Sequence, residues 1–216
     1  LELRDKKIPH YGAKEAVFPF EKFPEVDPVL GPEMRSTGEV LGLSENYAFA
    51  FYKSQEAAGT FLPAAFKPQK DASGNIVPRK VLISLSEKES LAQHAIEVGK
   101  AFKSLGFEIL ATEGTAAFYR SAGVDCEVIS KLNEGRPNVL DVILNKHVSL
   151  VINTPTGRRD ALADDAVIRK AAIKYRVPYI TTLAAALAAG KGIKAACNGN
   201  GGVKSLQEYH KAIIEV

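Results

Sequence analysis

From residue 81 onward, this chain alternates short apolar runs with stretches of helical composition. The apolar runs are nearly continuous, as in 81–85 and 148–153, which is typical of strands buried on both faces of a parallel sheet. The predicted strands are 81–85, 108–112, 126–130, 148–153 and 179–182, and the predicted helices are 91–105, 116–122, 165–175, 184–189 and 205–213. Strands that alternate with helices predict a three-layer α/β domain, with helices on both faces of the sheet.

The first part of the chain has a different character. An extended-looking run at 15–20 precedes a polar segment, 31–42, which is punctuated by Gly and Pro and cannot form a core of its own. A helix is predicted at 45–58, with Ser44 as its N-cap. We therefore expect residues 1–62 to be a partial α+β segment that ends a larger domain.

Residues 63–80 are predicted to be a linker. They contain three prolines and a Ser-Gly-Asn turn signal, and they show no periodicity. The second domain is therefore expected to span 81–216.

The composition narrows the classes of function. A net charge of +3 is too weak to indicate nucleic acid or a membrane surface as a partner. No apolar run approaches the ~18 residues that span a bilayer. The two cysteines, Cys126 and Cys197, lack the spacing of metal ligands and indicate a reduced, cytoplasmic compartment.

Four of the predicted strands are followed by unusually polar loops. In an open parallel sheet, ligands bind at the carboxyl ends of the strands. The loops are 84–88, 112–115, 131–137 and 153–159, and they hold hydroxyl groups, glycines and cations. Each loop alone is equally well explained by helix capping and turn chemistry. Together, at one edge of the sheet, they predict a small ligand that carries phosphate.

Catalytic residues are harder to recognise than binding residues. Carboxylates are available in or near these loops at Glu113, Glu134, Asp160, Asp164 and Asp165. Acidic residues at helix starts are common because they interact favourably with the helix dipole. The four histidines are scattered along the chain and are interpreted as structural or surface residues. The sequence favours binding without turnover, with no catalytic residue and no metal site.

Two stretches resemble a known family. Residues 27–42, with the run Gly-Pro-Glu-Met-Arg-Ser-Thr-Gly, closely resemble the end of the carbamoyl-phosphate-forming ATP-grasp half of the carbamoyl phosphate synthase large chain. The chain after residue 81 resembles the methylglyoxal-synthase-like domain that closes that large chain, notably in 134–137, 153–159 and 179–182. The resemblance implies a Rossmann-type, methylglyoxal-synthase-like domain with an allosteric role.

In that family, the last domain binds nucleoside monophosphates such as UMP, an inhibitor, or IMP, an activator. The resemblance implies nucleotide contacts for Lys88, Thr112, Thr115, Lys131, Asn153 and Thr154. Asp164 and Asp165 occupy a region where some members place a serine, and a carboxylate there would repel phosphate.

Some members also bind ornithine between the synthetase half and this domain. The matching positions are Glu15, Tyr179 and Thr181, and the carboxylate of Glu15 could pair with an amine, although a solvated strand glutamate is the alternative. The resemblance implies a parent ligase that makes carbamoyl phosphate for pyrimidine and arginine synthesis from bicarbonate, glutamine-derived ammonia and ATP with Mg or Mn. It also implies an oligomer and a glutaminase small chain as partner. The fragment itself is expected to make no carbamoyl phosphate.

Three rival functions are weighed against this resemblance. A methylglyoxal synthase would need aspartates after the first and third strands, and the loops 84–88 and 131–137 have none. IMP cyclohydrolase would need a loop ending in His-Pro, which is absent. A domain that serves only oligomerisation of the large chain would bind no nucleotide.

Overall fold

The computed structural model describes residues 6–23, 28, 30–63, 69–70, 73–86, 93–154, 159–199 and 202–215. The strands are β1 (Lys6–Lys7), β2 (Tyr11–Val17), β3 (Gly38–Ser44), β4 (Gln69–Lys70), β5 (Ile76–Val77), β6 (Lys80–Ser84), β7 (Glu108–Ala111), β8 (Glu127–Val128), β9 (Leu150–Asn153), β10 (Tyr179–Ile180) and β11 (Ile214–Glu215). The α-helices are α1 (Tyr47–Ala57), α2 (Gln93–Ser104), α3 (Glu113–Ser121), α4 (Val139–Leu144), α5 (Arg159–Lys174), α6 (Leu183–Cys197) and α7 (Leu206–Lys211). A short 3₁₀ turn covers Phe20–Lys22.

The centre of the molecule is a parallel sheet of five strands in the order β10-β9-β6-β7-β8. The central strand β6 pairs with both β7 and β9, so that Val81 lies opposite Ile109 on one side and Leu150 on the other. These strands are apolar on both faces because helices cover both faces. The predicted three-layer α/β fold is confirmed.

Two apolar clusters cover the two faces of the sheet. Val81 and Ile83 belong to the cluster that contains buried residues of α2, α3 and α6. Leu82 lies between them in the strand and belongs to the second cluster, with buried residues of α4 and α5. This division follows from the two-residue side-chain period of a strand.

The N-terminal part forms a two-stranded antiparallel ribbon, β2–β3, with α1 against it. A Cβ at Gly42 would collide with the backbone of α1, so glycine allows the close approach of strand and helix. On its other side α1 packs on α6, where a Cβ added at Gly192 would lie 3.1 Å from the carbonyl oxygen of Ala48. Phe51 and Tyr52 of α1 also pack against the first apolar cluster. The two predicted domains therefore share a packed boundary.

Several predicted element bounds were wrong, and the packing explains the largest error. The helix predicted at 184–189 continues to Cys197 as α6. Gly190 and Gly192 do not end it, because both are buried against neighbouring helices, Gly190 near Phe102 of α2 and Gly192 near α1. α5 begins at Arg159 rather than residue 165, and the predicted third strand shortens to Glu127–Val128.

Helix starts show two further differences. The N-cap of α1 is Asn46 rather than Ser44, because the Asn46 side chain accepts the amide hydrogen bond of Phe49 at 3.2 Å. α4 was not predicted, although Asn138 and Asp141 form a reciprocal capping box at its start. Within the predicted linker, β4 and β5 form a small hairpin around Gly74, which has a positive φ of 83°.

In the described part of the chain, each helix is too short or too polar to span a bilayer.

Candidate functional site

The loop after β6 is held from both sides by threonine hydroxyls. The amide of Leu85 donates to Thr115 Oγ1 at 2.9 Å, and the amide of Ser86 donates to Thr154 Oγ1 at 2.8 Å. Since β7 and β9 flank β6 in the sheet, these bonds join three neighbouring carboxyl-end loops. Thr115 and Thr154 were predicted as nucleotide contacts. The structure places both at the sheet edge, buried and with their oxygens bonded to backbone.

The start of α3 is an uncapped helix N-terminus at this edge. Thr112 is the N-cap residue, but its hydroxyl donates to Thr115 Oγ1 at 3.3 Å and makes no cap hydrogen bond. The amides of Gly114 and Thr115 have no acceptor among the described residues. A Cβ at Gly114 would meet no atom of the described residues within 4 Å. Free amides at a positive helix end suit an anion.

Lys131 supplies a cation just after the carboxyl end of β8. This strand is the neighbour of β7, the strand that precedes α3. Its side chain is 57% exposed, and its Nζ lies 3.6 Å from Glu134 Oε1. Glu134 also accepts from the Lys131 amide at 3.2 Å, which curls this loop on itself. The next cation, Arg136, is paired with Asp141 at 3.5 Å and is highly exposed. Lys131 is therefore an exposed cation held by one surface carboxylate, an interaction of low strength.

Asn153, at the end of β9, is held by two side-chain hydrogen bonds. Its Nδ2 donates to Asp165 Oδ1 of α5 and to Tyr179 Oη of β10, both at 2.8 Å. Asn153 is 3% exposed and Asp165 is 8% exposed. Burial raises the pKa of Tyr179, while its hydrogen bonds with Asn153 and Arg169 act in the opposite direction. The side chains form a compact polar cluster between the sheet edge and α5.

Among the described contacts, none joins the three residues predicted to bind ornithine. Tyr179 touches Asn153, and Thr181 is exposed just beyond the end of β10. Glu15 lies in β2 and accepts a hydrogen bond from Gln55 Nε2 of α1 at 2.6 Å. Its described partner therefore belongs to the N-terminal ribbon and helix.

One predicted nucleotide residue, Lys88, lies outside the described residues, as does the 155–158 part of the loop after β9. Among the residues that the structure describes, no three His, Cys, Asp or Glu side chains cluster as metal ligands would.

The partnership of Asp165 with Asn153 was missed by the sequence reasoning, which treated Asp165 as a charge that would repel phosphate. A signal was present, because Asp165 belongs to the helix that follows β9, and a polar residue on the sheet-facing side of that helix can reach the carboxyl end of the strand.

Comparison with known proteins supplies the family. The profile of the MGS-like domain family matches residues 94–181. The chain is 44% identical over 212 residues to the carbamoyl phosphate synthase large chain of Archaeoglobus fulgidus, covering 98% of this chain and 18% of that one. It is 42% identical over 198 residues to the "Carbamoyl phosphate synthase large chain, C-terminal section" of Methanopyrus kandleri, covering 92% of this chain and 34% of that one. For the same section of Aquifex aeolicus, the identity is 41% over 210 residues, covering 97% and 34%.

The chain thus spans about a fifth to a third of the length of these relatives, and two of them are C-terminal sections by name. The similarity extends over almost the whole of this chain. It therefore includes both the three-layer domain and the ribbon and helix that precede it. The chain belongs to the carbamoyl phosphate synthase large-chain family, as a C-terminal part that contains an MGS-like domain.

Proposed function

We propose that this chain is the regulatory part of a carbamoyl phosphate synthase large chain, and that it binds a nucleoside monophosphate such as UMP or IMP. The observation that carries the proposal is the uncapped N-terminus of α3 at the carboxyl edge of the sheet, with Lys131 at the end of the neighbouring strand β8. Backbone amides, a helix dipole and a lysine are the groups that recognise phosphate.

The buried threonines support this proposal indirectly. Thr115 and Thr154 fix the loop after β6 between the loops after β7 and β9. A preorganised set of loops loses little conformational entropy when a ligand binds. In this account the two hydroxyls shape the site, and the α3 amides and Lys131 contact the phosphate.

Ornithine is a second proposed effector, beside Tyr179 and Thr181, with Glu15 as the residue that would have to approach from the N-terminal ribbon. The 2.8 Å hydrogen bond between Asn153 and Tyr179 supports communication between the two effectors, because it joins one residue of each predicted set. Regulation would then be a coupling free energy between effector and ATP sites, typically ~1–3 kcal/mol.

The rest of the proposal concerns the whole enzyme. The parent ligase would make carbamoyl phosphate from bicarbonate, glutamine-derived ammonia and ATP with Mg or Mn, for pyrimidine and arginine synthesis. Its partners would be the remainder of the large chain, a glutaminase small chain and further copies in an oligomer. The two cysteines are free thiols, which supports a cytoplasmic location. The chain alone would make no carbamoyl phosphate.

Isothermal titration of the 216-residue chain with UMP, IMP and ornithine tests the proposal. We expect saturable binding of one nucleotide, weakened by Lys131→Ala. Lys100→Ala is the matched control, because Lys100 is an exposed lysine of α2. No heat with either nucleotide, or equal affinity in the Lys131→Ala and unmodified chains, would contradict the proposed site.

A further inference from the structure

We propose that Asp165 fixes the side-chain amide of Asn153, so that Asn153 can only accept a hydrogen bond from a ligand. The group that Asn153 recognises is then a hydroxyl or ring N–H of the nucleotide and not its phosphate. This inference rests on the proposed function and assigns different parts of the ligand to different parts of the site.

The hydrogen bonds of the Asn153 side chain determine what it can offer to a ligand. Asn153 Nδ2 has two hydrogens, and both are used within the protein, one by Asp165 Oδ1 and one by Tyr179 Oη, each at 2.8 Å. No described residue donates to Asn153 Oδ1. A side-chain amide whose two hydrogens are occupied has only its carbonyl oxygen to offer.

Asp165 determines which way the amide points. An ionised carboxylate has acceptors only, so rotating the Asn153 amide by 180° would set two oxygens 2.8 Å apart with no hydrogen between them. Tyr179 alone could not impose this orientation, because a phenol hydroxyl can either donate or accept. The carboxylate is therefore the group that makes the orientation one-sided.

The burial of Asp165 points to a role beyond stability. Its side chain is more than nine-tenths buried, and its Oδ2 has no hydrogen-bond partner among the described residues. A buried carboxylate oxygen without a partner is costly and calls for an explanation. Asp165 therefore stays buried at a cost in stability, and its Oδ1 accepts from Asn153.

It follows that the phosphate and the rest of the nucleotide contact different residues of the site. The phosphate of a nucleoside monophosphate loses its second proton near pH 6, so at pH 8 it has acceptors only. It cannot satisfy Asn153 Oδ1, whereas the free amides of α3 and the ammonium of Lys131 are donors. The phosphate therefore belongs at α3 and Lys131, and the sugar or the base belongs at Asn153.

Ligand analogues test this division at pH 8. UMP and IMP are each compared with two analogues, one lacking both sugar hydroxyls (the 2′,3′-dideoxy form) and one methylated on the ring N–H. For the nucleotide that binds, we expect one of the two changes to weaken binding roughly 3- to 10-fold, the value of one neutral hydrogen bond. If the dideoxy analogue binds more weakly, the donor is a sugar hydroxyl; if the N-methyl analogue binds more weakly, the donor is the ring N–H.

Asp165→Asn then tests the role of the carboxylate. An amide at position 165 can offer either an oxygen or an N–H, so Asn153 is released and the discrimination between nucleotide and analogue should fall below about twofold. The readout is this ratio, because a general loss of structure would weaken both ligands equally. Asp164→Asn removes the neighbouring carboxylate of the same helix and should leave the ratio unchanged.

The possible outcomes distinguish failure of the proposed function from failure of this inference. Absence of saturable binding by UMP and IMP overturns the proposed function and this inference with it. Binding in which neither analogue is weakened overturns the inference alone, as does discrimination that survives Asp165→Asn. The analogue series on the unmodified chain remains decisive even if Asp165→Asn does not fold.

Discussion

At the scale of single residues, the threonine hydroxyls at the sheet edge form hydrogen bonds within the protein. Thr115 and Thr154 each accept a backbone amide from the loop after β6. Sequence alone identified both positions as part of a polar edge. It could not reveal their bonds, because the partner amides lie 30 and 68 residues away along the chain.

Thr115→Val should destabilise the fold. Valine keeps the shape of threonine but leaves the partly buried Leu85 amide without its acceptor, and such a loss costs about 1–3 kcal/mol when the donor is shielded from water. Urea unfolding followed by circular dichroism measures the change. Thr181→Val, at an exposed position, is the control and should stay within about 0.5 kcal/mol of the unmodified chain. Equal losses in the two variants would contradict a specific role for the Thr115 hydroxyl.

Gly114→Ala should separate stability from binding. Gly114 lies in the first turn of α3, and a methyl group there meets no atom within 4 Å in the described part of the chain. Because alanine is the better helix former, the free energy of unfolding should be unchanged or higher by up to about 1 kcal/mol. A phosphate against the α3 amides would meet the methyl group, so nucleotide affinity should fall roughly tenfold. Unchanged affinity would place the ligand elsewhere.

At the scale of elements, glycine ends one helix and lies in the interior of another. Gly59 follows α1 with a positive φ of 84°, as the sequence predicts for a helix end. Gly190 and Gly192 lie inside α6, where small size matters because α2 and α1 pack closely against it. Single-sequence reasoning sees glycine as a helix breaker in both cases, and tertiary packing decides between them.

Gly99→Ala gives a test of packing against propensity. An added Cβ in α2 would lie 2.7 Å from Tyr119 Cε1, and the Tyr119 hydroxyl is bonded to the Ala95 carbonyl at 3.1 Å. The tyrosine ring is fully buried and cannot move aside cheaply. Overpacking of about 1–3 kcal/mol should outweigh the gain of about 1 kcal/mol in helix propensity. Compared with Gly114→Ala in the same urea experiment, a more stable Gly99→Ala variant would contradict the described packing.

The sequence predicted the parallel sheet well because its strands are continuous apolar runs, which few other structures require. The site was predicted less completely. Thr112, Thr115 and Asn153 could be placed at one edge because carboxyl ends of parallel strands meet there. The orientation of Asn153 could not, since it depends on Asp165 and Tyr179, which reach it from two other elements.

At the scale of the whole molecule, the N-terminal ribbon and α1 are joined to the three-layer domain by side chains from both. Tyr209 Oη of α7 donates to the Leu43 carbonyl of β3 at 2.9 Å, and Lys53 Nζ of α1 donates to the Gly202 carbonyl at 3.2 Å. Lys204 pairs with Glu45 nearby. The sequence boundary at 63–80 therefore separates two regions that are in contact in the folded chain.

This shared boundary predicts cooperative unfolding. Because α1 covers part of the first apolar cluster, loss of either region exposes the core of the other. Circular dichroism reports all helices, whereas tyrosine fluorescence includes Tyr47 and Tyr52 on α1. The two signals should share one urea midpoint. Two separated midpoints would show that the N-terminal region unfolds on its own.

In the proposed function, a nucleotide binds by its phosphate at the start of α3. The most direct measurement is a titration of the 216-residue chain with UMP and IMP, followed by ¹H–¹⁵N correlation spectra. We expect the amide signals of Gly114 and Thr115 to move downfield at saturation, because these N–H groups gain an acceptor, and the signals of Lys131 to shift as well. Saturation that leaves these amides unmoved and shifts residues elsewhere would contradict the proposed phosphate site.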